Sequence, residues 1–247
     1  MQMQRANIVY GAGAILLGVI GLVVGDFAMQ WQPVPADIPG RALLAYVAAA
    51  ALLLAGVVTL IPRTSTRGAG ALGVLYALWV VLLMLPRLVV QPLQLIRWNG
   101  LAEILALAAA GAVAYAVVKP ALLRPARLAF GFPPLIFGTA HFVYADFTAS
   151  MIPTWIPGPL FWAYATGCFH IAAGLSMLSG VLARLGATLL ATMFAGFVLL
   201  LHVPRVVHET GSRLEWTMLA ISTSLTGAAL IVALSYRGER SLVSLRP

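Results

Sequence analysis

Charge is what this sequence lacks most. Asp, Glu, Lys and Arg make up 9% of its 247 residues, where an ordinary soluble domain carries roughly 25%. A soluble chain of this length could not cover its surface with so few charges, so composition excludes a water-soluble globular domain. Acidic residues are the scarcer kind, 7 against 15 basic ones, for a net charge of +8. The excess does not indicate nucleic acid, because the basic residues stand singly in short segments and form no stripe that could track phosphates. Cysteine occurs once, at Cys168. That excludes an internal disulfide framework and any multi-cysteine zinc or iron–sulfur site. Cys168 reads as a small, buried apolar residue. No serine sits in a nucleophile-like turn, so a Ser/His/Asp hydrolase finds no support. The N-terminus, MQMQRANIVYGAGAILLG, has an arginine before an apolar run but no clear small-residue cleavage site, and reads as a retained first helix.

Apolar residues supply what charge does not. They make up 62% of the chain, with a mean hydropathy of +0.98. Eight apolar runs approach the spanning length of about 20 residues: Ile8–Val24, Ala42–Ile61, Ala69–Val90, Leu101–Val118, Ala129–Ala145, Leu160–Leu182, Leu185–Val203 and Trp216–Leu234. The expected fold is an all-α integral membrane protein with eight transmembrane helices. Pro133-Pro134 should kink or loosen the fifth. Placing the N-terminus inside puts ten basic residues on the cytoplasmic side, among them Arg63, Arg67, Lys119, Arg124, Arg127, Arg240 and Arg246. The other five, Arg41, Arg87, Arg97, Arg205 and Arg213, lie outside. The positive-inside rule then gives cytoplasmic N- and C-termini. All acids except Glu239 fall on the outer side, as do Trp31, Trp98, Trp155, Trp162 and Trp216.

An internal repeat follows from four matched signatures. Ile38-Pro39-Gly40 matches Ile156-Pro157-Gly158, Leu85-Pro86-Arg87 matches Val203-Pro204-Arg205, and Trp98 matches Trp216, each at an offset of 118 residues. Gly25-Asp26-Phe27 matches Ala145-Asp146-Phe147 at an offset of 120. Four spans per half is an even number, so the halves enter the membrane in the same sense and form a parallel repeat. The expected organisation is a first four-helix repeat over 1–118, a basic cytoplasmic linker over 119–128 with two helix-stopping prolines, a second repeat over 129–235, and a cytoplasmic tail over 236–247. In this frame Asp26 and Asp146 end spans 1 and 5, and Arg87 and Arg205 end spans 3 and 7. An unpaired charge at that depth is costly, so these four are candidate structural ion-pair residues, within or between halves. Pro86 and Pro204 should free carbonyls near Leu82 and Leu200.

The histidines break the symmetry. His141, His170, His202 and His208 all lie in the second half. The positions aligned with the first three are Gly21, Leu52 and Met84. His141, His170 and His202 are the ligand-binding candidates, with Asp146 and Arg205 to orient them. An outward-opening polar cavity within spans 5, 6 and 7 is expected, with Leu52 and Met84 filling its counterpart. Four readings are open for the three histidines: hydrogen bonds to neighbouring helices or water, hydrogen bonds to a quinone or other small head group, a transition metal, or haem. No HxxxH or similar spacing favours metal, so no metal ligand is assigned.

The stretch IPGPLFWAYATGCFHIAAGLSMLSGVLARLGATLLATMFAGFVLLLHVPR (Ile156 to Arg205) resembles the DoxX-like family of four-helix membrane proteins. The shared features are the Pro-Gly start, the spacing of Gly167 and Gly174, the turn from Gly180 to Arg184, and a span ending in His202. IPGRALLAYVAAAALLLAGV in the first half resembles it less closely. One departure is His170, where the family pattern commonly has Glu. The resemblance implies a compact four-helix unit in the inner membrane and, as partners beyond the lipid bilayer, other membrane or redox proteins. The expected function is a redox-linked accessory subunit with a quinone-contacting pocket in the second repeat. A small-solute or proton transporter and a ligand-free scaffold are the alternatives. Whether the chain is an enzyme is left open.

Overall fold

The computed structural model describes residues 1–237. The expected tail carrying Glu239, Arg240 and Arg246 lies outside the described residues. Among the described residues the regular structure is helical, and seven helices are long and apolar enough to cross a membrane. Helix is the only open-chain form that satisfies every backbone polar group in lipid, which is why the apolar runs adopt it. In the first half these are α1 (Gln2–Val24), α2 (Arg41–Leu60), α3 (Ser65–Trp79) continuing into α4 (Leu85–Val90), and α5 (Leu95–Tyr115).

The second half departs at its start. The run expected as one span over 129–145 is divided into α6 (Leu123–Gly131) and α7 (Pro133–Val143), followed by the short α8 (Ala145–Ser150). The break falls at Phe132, where Pro133 and Pro134 lack the N–H groups that would continue the helical ladder. The expected linker is itself largely helical. Pro125 does not stop α6 because it sits in the first turn, where no intrahelical N–H bond is lost. The rest runs through α9 (Pro159–Ser179), α10 (Ala183–Phe197), α11 (Val203–His208) and α12 (Arg213–Ser235).

Several bounds recur at the 118-residue offset. Helix α3 starts at Ser65 and α10 at Ala183, α4 ends at Val90 and α11 at His208, and α5 starts at Leu95 and α12 at Arg213. Between α3 and α4 lies a π turn, Val80–Met84, and between α10 and α11 another, Val198–His202. Each precedes a proline, Pro86 or Pro204, whose missing N–H leaves a carbonyl of the preceding turn free. The wider turn absorbs that disruption without ending the helix. Gly40 and Gly158 start α2 and α9 at φ 70° and 69°, a left-handed conformation that a Cβ disfavours.

Helices α5 and α12 are the most buried spans and pack against each other at the centre. Each also receives the first helix of the opposite half: α1 packs on α12, while α6 and α7 pack on α5. Lipid offers no hydrophobic drive for this, so close backbone approach carries it. A Cβ on Gly227 would lie 2.1 Å from the Tyr10 backbone nitrogen, and one on Gly111 2.4 Å from the Gly73 Cα. Tyr10 is wholly buried and ties the centre together. Its hydroxyl donates to the Leu107 carbonyl at 2.8 Å, and its carbonyl accepts from Ser224 at 3.2 Å.

The halves differ in one respect that creates space. Helix α1 packs on α3, but α7 and α10 stand apart, with the rings of Phe137 and Phe194 6.3 Å apart between them.

Candidate functional site

The gap between α7 and α10 is part of a cavity of about 1370 Å³, partly open and mostly apolar. His141, His170 and His202 all line it. His141 sits in the last turn of α7, and its Nδ1 lies 2.8 Å from the Phe137 carbonyl. A carbonyl can only accept, so Nδ1 carries a proton. His170, near the middle of α9, is 1% exposed. Its ring lies 5.0 Å from that of His141, 5.5 Å from Phe137, 5.5 Å from Phe194 and 6.3 Å from Phe197. His202 closes the π turn before α11 and is also buried. The Nδ1 atoms of His170 and His202 have no hydrogen-bond partner. A buried donor or acceptor without a partner costs about 1–3 kcal/mol, and both nitrogens are closed off by the side chains around them.

Asp146 and Arg205 do not line the cavity. Asp146 is exposed on α8 and forms no ion pair among the described residues. Arg205 does not pair with Asp146. It forms a two-pronged pair with Glu215, Nη2 to Oε1 at 2.6 Å and Nε to Oε2 at 2.9 Å. Asp26 does not pair with Arg87 but with Arg41 at 2.5 Å and Arg213 at 3.6 Å. Carboxylates and guanidiniums cluster at one end of the bundle, and helix rotation selects partners among several within reach of each other along the chain. Arg213 also donates to the Phe27 carbonyl, joining α12 to the end of α1. Burial pushes the Asp26 carboxyl up, but the Phe27 amide and the Arg41 and Arg213 charges outweigh it and hold the carboxyl below the usual range.

The cavity is not confined to the second half. Trp31, Met84, Arg87, Arg97, Asn99 and Glu103 also line it, because α5 packs against α7 and α12 and turns one face inward. Met84 therefore walls the same cavity as its counterpart His202, whereas Leu52 is closed into the core. Glu103 is the addition that the histidine pattern missed. Its carboxylate accepts from the Trp31 indole N–H and from Asn99 at 3.1 Å. Its signal in the sequence was a lone carboxylate within an apolar run. Cys168 is exposed rather than buried. Two residues on a helix differ by about 200°, so His170 facing inward turns Cys168 outward. His208 is exposed as well. Among the described residues no three His, Cys, Asp or Glu side chains converge as metal ligands.

Fold and cavity together define the class: a multi-pass, all-helical membrane protein with a largely apolar internal cavity edged by histidines. A family described as a domain of unknown function (DUF8561) matches residues 134–237, from the start of α7 to just beyond α12. Neither curated proteins nor solved structures match the chain.

Proposed function

We propose that the chain is a DoxX-like, redox-linked accessory protein of the inner membrane that takes a quinone in this cavity. The observation that carries the reading is the convergence of His141, His170 and His202 on one apolar-walled cavity. A quinone has a flat apolar ring, two carbonyl acceptors and an apolar tail. An imidazole N–H suits the carbonyl, and the Phe137, Phe194 and Phe197 rings around His170 suit the ring face. Ordinary ligand pockets span about 300–1,000 Å³, so the volume accommodates a head group and part of a tail.

The proposed topology is eight spans in two parallel four-helix repeats, with α6 and α7 together as the fifth and both termini cytoplasmic. Recurrence of helix bounds, π turns and glycine starts at one offset supports the repeat, and the family match covering only the second half supports treating that half as a unit. A second reading, a path for a proton or small solute, draws support from Glu103 sharing the cavity with three histidines.

The test is purification in an uncharged detergent, then identification of co-extracted lipids by absorption and mass, and titration with a short-chain quinone by tryptophan fluorescence. Near-stoichiometric quinone and saturable quenching are expected. Absence of both would remove the quinone reading and favour the scaffold.

A further inference from the structure

The two halves treat one pair of positions in opposite ways. In the second half, Arg205 at the end of α10–α11 faces Glu215 in the first turn of α12, and the two form the bidentate pair. The Glu215 backbone N–H also donates to Ser212, the N-cap of α12, at 3.4 Å. The corresponding positions 118 residues earlier hold Arg87, Arg97 and Gln94. The carboxylate is thus replaced by a second guanidinium, and the capping serine by a glutamine that makes no cap bond.

We propose that Arg87 and Arg97 form an oxyanion site at the mouth of the cavity, for the phosphate or carboxylate of a ligand. Four observations carry it. Both arginines line the cavity, and both are half-buried. The residues at the equivalent positions of the second half, Arg205 and Glu215, are in direct contact. Neither forms an ion pair among the described residues. The one carboxylate on α5, Glu103, is held by Trp31 and Asn99 instead. Arg97 uses only its Nε, on Gln91 at 2.9 Å, which leaves its terminal nitrogens to donate.

The start of α5 adds to the same field. It has no side-chain cap and no acid in its first turn, so its dipole favours an anion there. Two guanidinium forks and a helix start would surround a tetrahedral or planar oxyanion with donors. An oxyanion takes the place that Glu215 fills in the other half. An apolar cavity behind the site suits an amphiphile, whose tail would run inward past Met84. The site does not require a quinone, and its failure would leave the histidine reading untouched.

The experiment uses the full chain in an uncharged maltoside detergent. Melting is followed with inorganic phosphate against chloride at equal ionic strength, and with phosphatidylglycerol against phosphatidylcholine. The oxyanion site predicts a rise of several degrees with phosphate, with phosphatidylglycerol, or with both. Phosphate alone sufficing identifies a free oxyanion as ligand, and a response confined to phosphatidylglycerol identifies a lipid head group. Arg97→Glu rebuilds the Arg205–Glu215 arrangement inside the first half. It is expected to melt higher than the wild type without ligand and to lose the oxyanion response. Arg97→Gln should weaken the response at least tenfold in midpoint concentration and serves if the glutamate variant does not fold. No rise over the chloride and phosphatidylcholine controls overturns the proposal, and so does a response that survives in the folded variants.

Discussion

The imidazole rings of His141 and His170 lie 5.0 Å apart at a tilt of 53°, on two helices that glycines bring together. A Cβ on Gly138 would lie 2.7 Å from the Gly167 carbonyl, and one on Gly167 3.0 Å from the His141 Cβ. The close approach of α7 to α9 places both rings on one wall, and the separation of α7 from α10 opens the space they face.

Replacing His170 by leucine should separate stability from binding. Leucine stands at the corresponding position 52 in the first half, where it packs at 1% exposure. The substitution removes a buried Nδ1 that has no partner. Stability should hold or rise by about 1 kcal/mol, while quinone-dependent fluorescence quenching falls at least tenfold. Melting and titration of the same preparation test this. A large loss of stability with binding intact would make His170 a packing residue.

Arg205→Leu leaves the Glu215 side chain, 3% exposed, without its cation. Breaking a fully buried pair costs about 3–5 kcal/mol, and Arg205 is 37% exposed, so a loss of about 2 kcal/mol is expected after allowing for solvent screening. Arg205→Leu combined with Glu215→Leu should cost less than the two single changes together. Strict additivity in a double-mutant cycle would mean that the pair does not act as one.

Asp26 predicts the sign of one pH effect. Its carboxyl is held below the ordinary value in the fold, so its contribution is present above the unfolded carboxylate value of about 3.9 and is lost as pH falls through the lower, folded one. The melting temperature of the wild type should exceed that of Asp26→Asn at pH 6. The gap should close as the medium is acidified below pH 4. A gap constant across that range would place the effect outside the titration of Asp26.

Gly227→Ala tests the central packing. The added methyl would meet the Tyr10 backbone nitrogen at 2.1 Å and its Cα at 2.5 Å. Backbone cannot yield as a flexible side chain does, so α1 and α12 must separate. Overpacking of this kind costs about 1–3 kcal/mol, and a melting point lowered by several degrees is expected. Gly211→Ala, which meets nothing within 4 Å, is the control and should melt as the wild type does.

Topology is tested by reporter fusions at the C-terminus and within 151–156. The eight-span arrangement places these on opposite sides of the membrane. A common side would reduce the α6–α7 pair to a re-entrant or surface element.

Much of the architecture was legible in the residues themselves. Lipid forces apolar runs into helices, so hydropathy alone placed most of the long elements. Pro86 and Pro204 marked where the helical ladder is disturbed, because a missing N–H disrupts it wherever the helix lies, but the π turns that absorb the disturbance came only with the structure. Gly40 and Gly158 marked the starts of α2 and α9. The second-half bias of the histidines was legible too. Their common cavity required tertiary structure, since a span records depth well but rotation poorly. Rotation and helix pairing chose Glu215 over Asp146 for Arg205, and Arg41 over Arg87 for Asp26. They turned Cys168 outward and brought Glu103, Arg87 and Arg97 of one half to the wall shared with the histidines of the other. Those choices depend on contacts between residues as far apart as Tyr10 and Ser224, and no local pattern in the chain encodes them.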